Sequence, residues 1–186
     1  WMRSGHAANH GGAFRAAERT DALVAEARAS VAHLLGAGPE GVVFGPSMTA
    51  LTMRFAAAAC RSLQPGDEIV LTRLDHDANV APWLIAAARA GVEVRFAEPE
   101  RETLELPAAA VEAVLSPRTR WVALTAASNA VGTIPDLPAI IEAAHAAGAR
   151  VFVDAVHATP HRAIDVAALG CDFLACSAYK WFGPHV

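Results

Sequence analysis

Several residue types and patterns are scarce in this 186-residue chain, and each scarcity closes off a class of protein. There are three cysteines, Cys60, Cys171 and Cys176. That number is odd, they stand in apolar contexts, and no CxxC pair occurs. A disulfide framework and a cysteine zinc site are therefore not expected, and the thiols read as buried groups in a reducing cytoplasm. No apolar run approaches the roughly 20 residues of a membrane span. No leader of charged, apolar and small-residue regions is expected either. Net charge is −4, with no basic run and no interleaving of aromatic and basic residues, which argues against nucleic acid as a partner. Neither a GxGxxG dinucleotide fingerprint nor a GKS/T phosphate loop occurs, so a nicotinamide domain and a Walker-type nucleotide site are disfavoured. No internal repeat, low-complexity tract or interdomain linker is visible.

What the chain does have is apolar mass. It is 54% hydrophobic and 18% charged, enough for one domain with a substantial core. Short apolar runs recur near residues 42, 69, 93, 122, 151 and 173, with helical patterns between most of them. That alternation predicts an α/β fold of three layers: a mostly parallel sheet with helices on both faces. Residues 1–19, rich in Gly, His and Asn, read as a loop. Thr20 is expected to cap a helix ending at Leu35, with Leu23, Ala27, Val31, Leu34 and Leu35 as its apolar stripe and Gly36 as its stop. The helix after the first strand (Val42–Phe44) is placed from Ala50 to Arg61. Further helices are expected from Val80 to Ala90, Pro107 to Leu115, Leu137 to Ala147 and Asp165 to Leu169. The charged segment Glu98–Glu105 reads as solvated surface.

The last third organises the rest. Val151-Phe152-Val153 reads as a buried parallel strand. It delivers Asp154, with His157 and His161 close behind. A second run, Cys171 to Cys176, delivers Ser177, Tyr179 and Lys180 into a loop containing Gly183 and Pro184. One carboxylate and one lysine thus each sit just past the C-terminal end of a buried strand, the edge where open α/β sheets bind ligands. An aldehyde cofactor with a basic ring nitrogen needs both groups. The lysine forms the imine, and the carboxylate keeps the ring nitrogen protonated as an electron sink. Taken singly, Asp154 reads equally as a loop cap and Lys180 as a solvated lysine. The spacing of Asp154, His157 and His161 also leaves a metal set open.

Upstream stretches converge on the same edge. Gly45-Pro46-Ser47-Met48-Thr49 joins the first strand to a helix N-terminus, a place where free N–H groups favour an anion, although an ordinary helix cap reads the same way. His76 follows the strand Glu68–Thr72, flanked by Asp75 and Asp77. Asn129 follows the strand Trp121–Thr125 in a Gly-bearing loop. Thr49, His76, Asn129, Asp154 and Lys180 all fall just past expected strand C-termini.

The segment VDAVHATPH…DVAALGCDFLACSAYKWFGPHV resembles the class V aminotransferase family, in its cysteine desulfurase-like branch of fold-type I pyridoxal-phosphate enzymes. The matching residues are Asp154, His157, Ser177, Tyr179 and Lys180, and further upstream His76, Asn79, Trp83 and Asn129. The resemblance implies pyridoxal 5'-phosphate as cofactor, an amino acid as substrate, and residues 20–186 as the large domain, without its C-terminal part and the small domain. It implies that Lys180 forms the internal Schiff base and moves the α-proton. It implies a stacking and proton-shuttling role for His76 and an Asp154 partner for the ring nitrogen. It places His157 and Asn129 near the phenolic oxygen, and Met48 (through its backbone), Thr49 and Ser177 at the phosphate. Tyr179 stands where desulfurases commonly have His, and His157 where many have Gln. The family's sulfur-accepting cysteine and carboxylate-binding arginine lie beyond Lys180, and neither is found in this chain. Aminotransferase, lyase and epimerase activities, or an inactive fragment, accordingly stand beside desulfuration. A homodimer is implied as well.

Overall fold

The computed structural model describes residues 9–183. Five strands form one parallel sheet: β1 (Glu68–Thr72), β2 (Glu93–Ala97), β3 (Thr119–Thr125), β4 (Arg150–Asp154) and β5 (Phe173–Ala175), in the order β2-β1-β3-β4-β5. The expected α/β architecture is present. β1 is buried along its whole length, and β3 and β4 nearly so, which is why these segments are near-continuous apolar runs rather than alternating ones.

The helices are α1 (Arg15–Leu35), α2 (Met48–Ala59), α3 (Ala81–Ala90), α4 (Ala108–Glu112), α5 (Leu137–Ala146) and the short α6 (Val166–Leu169). From β1 the chain moves outward through α3 to β2. It then returns through α4 to β3 and continues through α5 to β4. Right-handed crossovers with this reversal put α3 on one face and α4 and α5 on the other. The packing agrees: α2 lies against α3, and α4 against α5. The reversal also makes the gap between β1 and β3 the switch point of the sheet, where a crevice opens at the strands' C-terminal ends.

Aromatic packing holds α2 and α3 down. Phe55 of α2 has its ring centroid 5.9 Å from Trp83 of α3, 5.3 Å from Trp121 of β3, 5.0 Å from Phe152 of β4 and 4.4 Å from Phe173 of β5. Edge-on and tilted contacts of this kind add to the area they bury. They fix the line of α2, whose N-terminus arrives at the C-terminal edge of the sheet. At the opposite edge Glu68, the first residue of β1, is fully buried yet charged. Its carboxylate accepts from Ser116 Oγ at 2.7 Å and pairs with Arg118 and, at 3.5 Å, with Arg95. Burial alone would raise its pKa. The Ser116 hydroxyl and the two guanidinium groups outweigh that and hold it below the usual carboxylate value.

Several expectations are corrected. Val42–Phe44 forms no strand. Val42 is extended, but the run joins no ladder among the described residues, and Val43 and Phe44 are exposed. Extended geometry without a neighbouring strand is not a sheet. α1 begins at Arg15, not after Thr20; its N-cap is Phe14, and the Thr20 hydroxyl donates back to the Ala16 carbonyl inside the helix. Of its expected stripe Leu35 is buried, while Leu23 and Leu34 are exposed. α2 starts two residues early, because Ser47 rather than Thr49 precedes its first turn. α4 ends at Glu112, short of Leu115. By compactness, residues up to Phe44 group with 163–168, and 45–162 group with the remainder.

Candidate active site at the sheet's C-terminal edge

Five elements deliver the predicted site residues: the start of α2 and the C-terminal ends of β1, β3, β4 and β5. Ser47 caps α2, its hydroxyl accepting from the Ala50 N–H at 3.2 Å. That leaves the Met48 N–H, at the helix start, donating to Ser177 Oγ at 3.3 Å. Met48 and Ser177 are both buried, and Thr49 is exposed at the first turn beside them. Two of the donors expected at a phosphate therefore meet, together with the positive end of a twelve-residue helix.

Asp154 is the last residue of β4 and is 4% exposed. Its Oδ1 accepts from the Val156 N–H at 2.9 Å. Burial pushes its carboxyl above the usual range, against the opposing pull of that N–H and of His76. A cationic N–H placed beside it would relieve this penalty. His157 is partly buried. Burial, and then the charges of Lys180, His76 and His161, hold its imidazole below the usual value. His157, past the end of β4, thus feels both His76, past the end of β1, and Lys180, past the end of β5. Among the described residues, however, Asp154, His157 and His161 do not form a metal-ligating group.

Lys180 lies in a tight 3-10 turn, Ala178–Trp181, where a loop was expected. Its N–H bonds the Ser177 carbonyl at 2.9 Å, and its Nζ lies 5.5 Å from the centroid of the Tyr179 ring. Lysine and tyrosine are both exposed. The turn closes through Phe182, at φ 64°, and Gly183, where a Cβ would come within 2.6 Å of the Ala178 carbonyl oxygen. Glycine is required there by close backbone approach.

His76 follows β1 and caps the 3-10 turn Asp77–Asn79. Its Nδ1 accepts from the Ala78 N–H at 3.0 Å, which places the proton of the neutral ring on Nε2. Asn129 is exposed in a turn after β3. Ser128 holds that turn, its N–H bonding the Thr133 carbonyl and its Oγ accepting from Ala130 at 3.3 Å. Between these two loops, at the switch point, lies an open pocket of about 350 Å³, lined among others by Asp75, His76, Ser128, Asn129, Leu104 and Val131.

Two features escaped the sequence reading. Leu104 and Pro99 belong to the segment expected to be plain solvated surface, yet both line this pocket. Leu104 sits at φ 56°, and its carbonyl accepts from Thr133 Oγ1 at 2.9 Å. Asp75 is the other. Its carboxylate accepts from Thr72 Oγ1 and, at 2.7 Å, from Asn79 Nδ2, and Asn79 Oδ1 accepts from Trp83 Nε1 at 3.3 Å. The four-residue steps from Asp75 to Asn79 to Trp83 are the sequence signal that marks this relay.

None of the three cysteines is poised as a thiolate. Burial raises Cys60, and it pushes Cys171 and Cys176 up to about 11, the latter with help from the Asp154 charge. Among the described residues no helix is long and apolar enough to cross a membrane.

Comparison with known proteins gives this edge a context. A cysteine desulfurase of Dickeya dadantii is 39% identical over 181 residues, which is 96% of this chain and 44% of that protein. The aminotransferase-like protein FGM3 of Gibberella zeae is 38% identical over 178 residues, covering 95% of this chain and 44% of its own length. In three dimensions the cysteine desulfurase CsdA of Escherichia coli superposes with a TM-score of 0.85 at 34% identity, over 98% of this chain and 46% of that one. The chain spans less than half the length of each. The family model for aminotransferase class-V matches residues 2–185. Proteins of this family and its cysteine desulfurases depend on pyridoxal phosphate. By that match this chain belongs to the aminotransferase class-V family.

Proposed function

We propose that this chain is the cofactor-binding part of a pyridoxal-phosphate enzyme that acts on an amino acid in the manner of a cysteine desulfurase. The observation that carries the reading is the convergence at one sheet edge. An anion-favouring helix start bonded to Ser177, a buried carboxylate at Asp154 and an exposed lysine at Lys180 come from three separate elements. These residues fit the cofactor by the chemistry of their donors: a phosphate end, a carboxylate for a ring nitrogen, and an amine for an aldehyde.

In this reading Lys180 Nζ holds the cofactor covalently and, once released, moves the substrate α-proton. Asp154 holds a proton at the ring nitrogen. Met48 N–H, Thr49 and Ser177 hold the phosphate. His76 covers the ring face and takes part in proton movement, Asn129 and His157 serve the phenolic oxygen, and Tyr179 stands beside the lysine. When bound, pyridoxal phosphate supplies an electron sink for negative charge at the substrate α-carbon. The sulfur-accepting thiol of a desulfurase is not supplied by Cys60, Cys171 or Cys176, whose environments keep them protonated. A homodimer in the cytoplasm completes the proposal.

The test is addition of pyridoxal phosphate, borohydride reduction and peptide mass mapping, on the wild type and on Lys180→Ala. A reduced adduct on Lys180, lost in the variant, is the expected result. A folded protein without an adduct overturns the reading. Sulfide release from cysteine, against amino transfer to a keto acid, then separates desulfuration from transamination.

A further inference from the structure

The loop between β1 and α3 is tied shut from within. Thr72, the last residue of β1, and Asn79, just before α3, both donate to the carboxylate of Asp75. Asn79 is fully buried and is itself held by the indole N–H of Trp83, also fully buried. Asp75 also lies close enough to feel the backbone of Thr125, at the end of β3, and the charge of Asp154, at the end of β4. Its carboxyl therefore joins the end of one strand to the start of a helix, at the switch point of the sheet.

His76 is the residue held in the middle of this hoop. Its carbonyl accepts from the Asn79 N–H at 2.8 Å, and its Nδ1 from the Ala78 N–H at 3.0 Å. The ring itself is exposed. An exposed imidazole with one nitrogen committed to the backbone keeps its tilt and its tautomer only while the Ala78 N–H stays in place. That N–H stays in place because residues 72 and 79 are both bound to Asp75.

We propose that Asp75 is a positioning residue whose carboxyl, by closing the loop 72–79, fixes the orientation and the Nε2–H tautomer of His76 over the site. The purpose of this arrangement rests on the role given to His76 above; its geometry does not. Asp75 touches no reacting atom. It acts through the loop, in the way that buried partners orient catalytic imidazoles in other sites.

The experiment uses the full chain labelled with ¹⁵N-histidine, with and without added pyridoxal phosphate. Long-range ¹H–¹⁵N spectra report which ring nitrogen of His76 carries the proton, and hydrogen exchange reports the Ala78 amide. The wild type is expected to show His76 as one Nε2–H species with a protected Ala78 amide. In Asp75→Ala the two tautomers are expected to mix, and Ala78 exchange to quicken about tenfold. A folded Asp75→Ala protein with unchanged His76 signals and unchanged Ala78 exchange overturns the proposal. Should Asp75→Ala fail to fold, Thr72→Val decides. It keeps the β-branched strand residue and removes one donor, so partial mixing supports the proposal and an unchanged spectrum overturns it. Because the readout exists without cofactor, its outcome is independent of whether Lys180 forms the reduced adduct.

Discussion

The Met48 N–H and the Ser177 hydroxyl are joined by a 3.3 Å hydrogen bond across 129 residues of sequence. The bond couples the start of α2 to the segment that carries Lys180, so the anion-binding end and the amine of the proposed site are set by one contact. The aromatic cluster around Phe55 supplies the rigid body behind it.

Ser177→Ala is therefore expected to do two things. Loss of the acceptor leaves a buried N–H unsatisfied and lowers stability by about 1 kcal/mol, read by urea unfolding. It also weakens pyridoxal-phosphate affinity by about tenfold, the worth of one hydrogen bond to a charged group, read by absorbance titration.

Glu68 is a buried charge held by three partners. Its pKa in the folded state lies below the unfolded value of 4.5, so its contribution is present above that pH and is lost as pH falls through the folded value. Glu68→Gln is expected to cost about 2 kcal/mol at pH 7, with Arg95 and Arg118 partly exposed and hence partly screened. The variant should also lose part of the wild type's decline in stability as pH falls below about 4.5. Urea midpoints at a series of pH values check both effects.

Asp75 acts with the opposite sign. Burial lifts it from 3.8 to about 7. The folded state therefore binds this proton more tightly than the unfolded chain does. Its contribution is greatest at low pH and declines as pH rises from about 4 to about 7. Asp75→Asn should remove that decline, so that its stability curve over this interval is flatter than the wild type's. An unaltered slope would show that Asp75 ionises like an ordinary surface carboxylate.

Thiol chemistry gives a fourth check. With Cys171 and Cys176 near 11, alkylation of the folded protein at neutral pH should run about a hundredfold slower than that of a free cysteine, and should speed up only in strong alkali or on unfolding. Mass mapping of iodoacetamide-treated protein tells the three sites apart. Fast modification of Cys176 in the folded state would contradict its half-buried environment near the Asp154 charge.

Much of the fold was legible because its signals are local. The five sheet strands announce themselves as apolar runs, and Asp136 and Gly148 punctuate α5 as sequence rules expect. What was not legible depends on partners remote in sequence or on the route of a side chain. Val42-Val43-Phe44 has strand composition, but ladder bonds need a neighbour, which composition does not reveal. Thr20 looked like a cap, yet its hydroxyl turns back to Ala16, a bond open to threonine anywhere in a helix. Leu104 and Pro99 were hidden among charged neighbours. Of the proposed site, the placing of His76, Asn129, Asp154 and Lys180 at strand ends followed from periodicity. The bond between Met48 and Ser177 appears only when remote segments are brought together, and the bonds from Thr72 and Asn79 to Asp75 only when the loop between β1 and α3 has its shape.

The clamp on Glu68, at the start of β1, and the cluster around Asp154, at the end of β4, occupy opposite edges of one parallel sheet. This gives the molecule a division of labour along one axis. Sequence change at the Glu68 end bears on stability alone, whereas change at the Asp154 end bears on stability and on the proposed chemistry together. Variants at the two margins of the sheet can therefore be told apart by whether cofactor affinity moves along with the unfolding midpoint.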